Sequence, residues 1–201
     1  MTITRSEPTT RMRAEDRREL VITAAMGVFG ERGYVGSTTD AIARAAGVSQ
    51  PYVVRMFGTK EALFLAVLDR ALQRLLSDFS AVIESNPTAS AEVLHAGIGA
   101  AYGNLLADRG LLLSLMHGFV LGSVPAIGAA ARLGFLEVYR LLRRRAGFSA
   151  EQARDFLAHG MLVNTLVGIR MGLEMDDPDA RELVECVAPI KADLIRRLAH
   201  D

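Results

Sequence analysis

One short stretch of this sequence concentrates side chains that could bind nucleic acid. Glutamine can form two hydrogen bonds with adenine, arginine can bond guanine or phosphate, and tyrosine can stack or reach a phosphate. Such side chains lie at the start of a short predicted helix, with a proline that fits its first turn: Ser49, Gln50, Pro51, Tyr52 and Arg55. Their spacing suits a helix whose N-terminal residues reach base edges in the major groove.

A second short helix precedes this one across a tight turn. Ile42 and Ala43 form its inner face, and Ala46-Gly47-Val48 makes the turn, with a glycine that can adopt a left-handed conformation. Two helices joined by a glycine-containing turn are the plan of a helix-turn-helix. A helical hairpin that binds nothing has the same spacing, so this pattern alone leaves both alternatives open.

The elements that must position these side chains are helices throughout. Apolar residues recur every three to four positions, and no segment keeps the alternation of a β-strand. Caps, glycines and prolines then give an all-α prediction of about nine helices: 14–33, 39–46, 49–57, 60–84, 89–107, 110–122, 126–146, 150–174 and 179–199. Pro189 should kink the last of them.

The charge is distributed unevenly although it sums to zero. The chain has 201 residues, with 23 basic and 23 acidic side chains. Residues 1–60 hold nine basic and six acidic residues, a surplus of three positive charges, whereas residues 61–201 hold 14 and 17. A basic head suits contact with phosphate, although a solvated surface has the same charge. We predict two domains: residues 1–60, a tail with a three-helix unit, and residues 61–201, a larger helical domain.

Several classes of protein are disfavoured. The single Cys186 excludes an intramolecular disulfide, the four histidines lack metal-ligand spacing, and no hydrolase or nucleotide-binding motif occurs. We therefore predict no catalysis, no metal and no cofactor. Residues 110–131 carry no charge but contain Ser123 and Pro125, which favours a broken, buried helix over a membrane span. The polar N-terminus lacks a signal-peptide core, so we expect a cytoplasmic protein that joins the nucleoid when bound to DNA.

The run from Gly33 to Leu68 resembles the N-terminal DNA-binding domain of TetR-family transcriptional regulators. The matching features fall at the family's offsets within about residues 17–70: Phe29, Gly33-Tyr34, Thr38, Ile42-Ala43, Ala46-Gly47-Val48-Ser49, Phe57 and Lys60-Glu61. One position departs, because Val54 stands where the family usually has a phosphate-contacting tyrosine. Tyr52, two residues earlier, could serve a base or the backbone instead.

The resemblance implies further contacts with double-stranded DNA. Thr38 and Thr39 would offer hydroxyl and N–H groups to phosphate, and Lys60 would bind another phosphate at the start of the long helix. The tail arginines could reach DNA or form only a solubilising arm: Arg5, Arg11 and Arg13. The family's commonest mode is repression by a homodimer on a near-palindromic operator.

The resemblance also implies where two copies would meet. We place the dimer interface on the last two predicted helices, which would form a four-helix bundle with their partners. The apolar residues assigned to it are Phe156, Gly160, Val163, Val167 and Met171 on one helix and Leu183, Val187, Ile190 and Leu194 on the other. These faces could instead pack only inside the monomer.

Members of the family bind small, mostly apolar effectors between their central helices. The candidate residues here are Tyr102, Met116, His117, Phe119, Tyr139 and Asn164. Each of them could equally be an ordinary core residue. The predicted function is a repressor that a small, largely apolar effector releases from DNA. The alternatives are a helical dimer that binds ligand or protein without a DNA switch, and a DNA-binding protein that needs no effector.

Overall fold

The computed structural model describes residues 13–189 and 192–200. Within those ranges the chain forms ten α-helices, one 3-10 helix and no strand, which confirms the all-α prediction. The helices are α1 (Ala14–Gly36), α2 (Thr39–Ala45), α3 (Gln50–Phe57), α4 (Lys60–Ser85), α5 (Ala91–Leu105), α6 (Arg109–Val120), α7 (Pro125–Arg144), α8 (Ala150–Gly168), α9 (Pro178–Val187) and α10 (Ala192–Leu198). The 3-10 helix, Met171–Glu174, lies between α8 and α9.

The helix ends differ from the predicted ones mainly after α7. Helix α8 stops early because Arg170 adopts a left-handed conformation with a φ of 57°, and Met171 then starts the 3-10 helix. The predicted last helix is two helices, since Ala188 is non-helical with φ −138° and ψ 64°. Pro189 explains the break, because proline lacks an N–H group and disfavours a helical residue before it. The predicted kink is therefore a full interruption.

Helices α1 to α3 and the first half of α4 share one core. The rings of Phe29 and Phe64 meet edge to face with centroids 4.8 Å apart, and the Tyr34 ring lies 5.1 Å from that of Phe64. Ile42 of α2 and Val53 of α3 are fully buried in the same cluster. Burying side chains of this size stabilises the fold by roughly 1.5–3 kcal/mol each. Because α4 also packs on α5 and α7, the domain boundary near residue 60 stays a prediction.

Helix α6 crosses α1 at a pair of glycines. A Cβ atom on Gly30 would lie 2.9 Å from the Cα of Gly110, so neither helix has room for a side chain at this point. Beside the crossing, the buried Ser114 hydroxyl donates to the Met26 carbonyl at 3.3 Å. This contact joins the N-terminal unit to the rest of the molecule.

The remaining helices enclose a second apolar region. Helices α5, α7 and α8 pack beside α4 and α6, and the Phe156 ring lies 5.9 Å from that of Phe79 and 6.0 Å from that of Phe148. No single helix in the described part of the chain is long and apolar enough to cross a membrane. Helices α6 and α7 pass that test only together, and they are bent by 117° at their break.

Candidate DNA-binding surface and internal cavity

The turn between α2 and α3 is held by its own backbone. Gly47 has a positive φ of 64°, and Val48 donates its N–H to the Ala43 carbonyl at 3.0 Å. Thr38 caps α2, because its hydroxyl accepts a hydrogen bond from the Ala41 N–H at 3.1 Å. Ser37, the residue before it, is buried and donates instead to the Gly33 carbonyl at the end of α1, at 2.6 Å. The turn and the cap together fix how the two short helices meet.

Helix α3 buries one side and presents the other to solvent. Val53 is fully buried, whereas Pro51, Val54 and Arg55 are exposed and Tyr52 is half-buried. The guanidinium carbon of Arg55 lies 5.1 Å from the centroid of the Tyr52 ring, which is a cation–π contact. The sequence pattern selected both residues but not their contact. Their spacing of three residues was the available signal, because such positions are neighbours on a helix surface.

The starts of α2 and α3 are also connected directly. The side-chain amide of Gln50 donates to the Thr39 hydroxyl at 3.3 Å, so two of the predicted DNA-contacting residues hold each other in place. Thr38 and Ser49, their neighbours in the chain, are exposed. Contact of these residues with DNA stays a prediction.

Lys60 has internal partners that the sequence pattern did not indicate. Its ammonium donates to the carbonyls of Tyr34 at 2.9 Å and Ser37 at 3.1 Å, and it lies 4.5 Å from the centroid of the Tyr34 ring. Two of its three N–H groups are therefore engaged where α1 ends. The predicted phosphate contact of Lys60 assumed nothing about these partners. The side chain ties α4 to the connection between α1 and α2, and contact with phosphate stays a prediction for the third N–H group alone.

Replacing Lys60 with methionine should destabilise the protein, because it removes the donor that ties α4 to the end of α1. Methionine leaves the carbonyls of Tyr34 and Ser37 without their charged donor, so we expect the free energy of unfolding to fall by about 1–3 kcal/mol. Urea unfolding measures this, and Arg32→Met on the exposed surface of α1 is the matched control, with little expected effect. The same variant tests the predicted phosphate contact. The slope of the logarithm of DNA affinity against the logarithm of salt concentration should fall by about one if the third N–H group binds phosphate, and an unchanged slope would limit Lys60 to its structural role.

A cavity of about 310 Å³ lies between helices α4, α5, α6, α7 and α8. Most of its wall is leucine, phenylalanine and small residues. The rings of Phe79, Tyr102 and Phe156 meet there as a cluster, with centroids 5.9, 6.3 and 6.5 Å apart. This volume is near the lower end of the range for small-molecule sites.

Two polar residues in the cavity wall bind each other. The Tyr102 hydroxyl donates to Oδ1 of Asn164 at 2.5 Å and lies 3.4 Å from the Gly160 carbonyl. Burial raises the pKa of Tyr102 far above its ordinary value, and the hydrogen bond with Asn164 offsets only part of that rise. The phenol is therefore neutral throughout the physiological pH range. The described residues include no group of three His, Cys, Asp or Glu side chains that could hold a metal ion.

Comparison with known proteins identifies the family. Residues 21–67 match the family model for bacterial regulatory proteins of the tetR family. The HTH-type transcriptional activator FasR of Mycolicibacterium smegmatis is 30% identical over 173 residues, which cover 84% of this chain and 77% of FasR. This chain belongs to the TetR family. It is a helix-turn-helix, DNA-binding transcriptional regulator, and its relatives are regulators rather than enzymes.

Solved structures share the TetR-family fold over nearly the whole chain. A TetR-like transcriptional regulator from Rhodococcus sp. RHA1 has a TM-score of 0.62 and 20% identity, covering 94% of this chain and 97% of that one. The multidrug binding protein EbrR, in complex with malachite green, has a TM-score of 0.55 and 22% identity, covering 92% of this chain and 96% of its own. At these identities the likeness concerns the fold. TetR-family regulators bind DNA and small molecules and form dimers.

Three of the six residues predicted to line an effector pocket lie in the wall of this cavity. The cavity wall includes Tyr102, Phe119 and Asn164 but not Met116, His117 or Tyr139, which corrects the prediction. His117 faces α1, where its Cε1 atom lies 3.2 Å from the place of a Cβ atom on Gly33. Met116 lies near Gly168 of α8, and Tyr139 packs against the core. Helical periodicity identified an apolar α6 but not which of its sides meets the cavity.

Most residues predicted for the dimer interface are covered within the monomer. The monomer itself buries Phe156, Val163, Val167 and Val187. Gly160 lies in the cavity wall together with Phe156. Met171 and Leu194 pack against the core, whereas Leu183 is 38% exposed. Helix α8 packs on α5, α6 and α7, and helices α9 and α10 pack on the 3-10 helix and on α8, so these faces are largely covered within the monomer. Where two copies meet stays a prediction.

A few of the predicted residues fall outside the described ranges. These are Ile190 of the predicted interface and Arg5 and Arg11 of the tail. Arg13 is exposed immediately before α1. Contact of the tail with DNA stays a prediction.

Proposed function

We propose that this regulator binds a near-palindromic operator as a homodimer, represses transcription there, and is released by a small, largely apolar effector. The observation that carries the proposal is the position of α6, which touches both the cavity and α1. Leu115, Gly118 and Phe119 line the cavity, whereas Gly110 and Ser114 contact α1. A ligand that shifts α6 therefore acts directly on the first helix of the DNA-binding unit.

The DNA-contacting surface in this proposal is the α2–α3 pair. Gln50, Tyr52 and Arg55 read base edges, and Thr38 and Thr39 hold phosphates. The two recognition helices of a dimer must lie about 34–36 Å apart to enter successive major grooves. An effector that binds more tightly to a state with another spacing reduces the population that can hold DNA.

The dimer interface in this proposal uses exposed apolar residues on α8, directly after its last residue and on α9. Leu162, Ile169 and Leu183 are 40%, 60% and 38% exposed. Exposed apolar surface of this kind is typical of protein–protein contacts. A second copy that packs its own α8 and α9 against it would form a four-helix arrangement around a twofold axis. Leu183 was already among the residues that the sequence pattern indicated, and Leu162 and Ile169 are added to it.

The relatives support the effector and bear on the sign of regulation. EbrR is a multidrug binding protein with malachite green bound, which supports a cavity that takes a small organic molecule. FasR is a transcriptional activator, so repression is the part of the proposal that needs its own test. A reporter gene behind the native operator should be expressed more strongly when the regulator gene is deleted. Lower expression in the deletion strain would make this protein an activator.

Filling the cavity should separate the ligand response from DNA binding. Operator fragments are first selected from genomic DNA with the purified protein, and release by a panel of small apolar compounds is then followed by fluorescence anisotropy. We expect an active compound to weaken wild-type DNA binding by roughly 5- to 150-fold. The Leu157→Trp variant adds bulk to the cavity wall. In this variant the same compound should change DNA affinity by less than about twofold.

The control for this experiment lies on the same helix. Arg154→Trp adds the same bulk to an exposed position of α8 and should respond like the wild type. If the compound released the Leu157→Trp variant from DNA as readily as it releases the wild type, the cavity would be excluded as the effector site. Failure of the wild type to select any DNA would exclude the operator-binding part of the proposal.

A further inference from the structure

The charged side chains in the wall of the cavity itself all have one sign. Among the described residues that line it, the charged ones are Asp69 of α4 and Glu137 of α7, and none is basic. Both are exposed, so they lie where the cavity meets solvent, together with the neutral Gln73. Neither carboxylate has an ion-pair partner among the salt bridges of the described residues. The mouth of the cavity is therefore negative.

The buried part of the cavity is neutral and aromatic. Asn164 is only 6% exposed and is bonded to the neutral Tyr102. In the wall formed by α6 and α7, the rings of Phe119 and Phe135 lie 5.8 Å apart. The faces of aromatic rings carry partial negative charge and attract cations. The rings and the two carboxylates therefore favour the same sign of ligand charge.

We propose that the cavity takes an apolar organic cation, an inference that rests on the effector role proposed above. The apolar body of the ligand lies among the aromatic rings, and its positive group lies at the mouth, where Asp69 and Glu137 line the wall. A carboxylate ligand would meet two like charges at the mouth and no basic side chain in the wall, so its desolvation would be uncompensated. The two carboxylates at the mouth therefore select the charge of the ligand, and the aromatic interior binds its apolar body.

One arginine close to the cavity defines the competing outcome. Arg132 lines a second groove, which shares Phe119, Ala131 and Phe135 with the cavity wall. An anionic ligand that extends from the cavity into the second groove would bind to this side chain. The experiment therefore includes a variant at this position.

Three probes with the same alkyl chain and different charge test the proposal. Decyltrimethylammonium, 1-decanol and decanoate are titrated into the full-length protein by calorimetry, below their micelle concentrations. We expect the cation to bind at least about tenfold more tightly than decanoate, which is 1.4 kcal/mol, with decanol between them. In the double variant Asp69→Asn/Glu137→Gln this preference should fall to about twofold, while the affinity for decanol stays unchanged.

The matched control removes two carboxylates elsewhere. Glu174→Gln/Asp176→Asn changes the net charge by the same amount at two exposed positions outside the cavity, and it should keep the wild-type preference. Equal binding of the three probes, or tightest binding of decanoate, would overturn the proposal, and loss of decanoate binding in Arg132→Gln would assign anions to the second groove. If no probe binds, the proposal is also overturned. The effector role is judged separately, by DNA release in the Leu157→Trp experiment.

Discussion

Arg55→Ala should weaken binding to the native operator by about 1–3 kcal/mol, roughly 5- to 150-fold, without unfolding the protein. Arg55 is exposed on α3, and its contact with the Tyr52 ring orients the guanidinium before DNA arrives. Its removal would delete the proposed base or phosphate contact and leave the buried Val53 side of the helix unchanged. Fluorescence anisotropy measures the affinity at one fixed salt concentration, because every phosphate contact makes binding salt-dependent.

Tyr52→Ala tests whether these two side chains act as a pair. We expect a similar loss of affinity, and a double variant that loses less than the sum of the single losses, since the ring orients the guanidinium. Arg44→Ala is the matched control, because Arg44 is exposed on α2 and paired with Asp40 at 2.8 Å. Sedimentation should give the same dimer fraction for all four variants. Operator binding that is unchanged in both single variants would remove α3 from the DNA-contacting surface.

Two glycines on α1 should respond to alanine in opposite directions. A Cβ atom on Gly30 would meet the Cα of Gly110, a backbone atom that cannot swing aside, at 2.9 Å. We therefore expect Gly30→Ala to lower the free energy of unfolding by about 1–3 kcal/mol. Gly27 has nothing within 4 Å of that position, so Gly27→Ala should raise it by about 0.5–1 kcal/mol, because alanine favours the helix. Urea unfolding of the three proteins measures both changes.

The same pair of variants tests communication between the cavity and the DNA-binding unit. Moving α1 away from α6 should reduce the effect of an active ligand on DNA affinity, whereas Gly27→Ala should keep the wild-type effect. A Gly30→Ala protein as stable as the wild type would contradict the close crossing of the two helices. A Gly30→Ala protein that is less stable but keeps the full ligand response would contradict transmission through α6.

The helix-turn-helix could be predicted because its signals are local. Thr38, Gly47 and Pro51 act within one turn of their own positions, as a cap, a left-handed residue and a first-turn proline. Apolar periodicity likewise located α4 to within one residue of its observed ends. These features depend on neighbours in the chain, and a single sequence contains those neighbours.

The pairing of helix faces could not be predicted, because an apolar helix face can pack against any other apolar face. Val163 and Val167 have the spacing of an interface between two copies, yet the monomer buries them. The carbonyls that hold the Lys60 ammonium lie 23 and 26 residues before it in the chain. The cavity wall combines residues of five helices, of which periodicity could indicate only that each is apolar. Contacts of this kind follow from tertiary packing.

The unbroken length of α4 determines how far a small tilt of this helix would move a recognition helix in the proposed dimer. It runs 26 residues without interruption, so it is a rod about 39 Å long at 1.5 Å per residue. Pivoting such a rod by about 5° at one end displaces the other by about 3 Å. That is close to a tenth of the separation of about 34–36 Å between successive major grooves on one face of DNA. In the proposed mechanism the long helix is a lever, and a ligand that tilts it by a few degrees would change the spacing of the recognition helices enough to weaken operator binding.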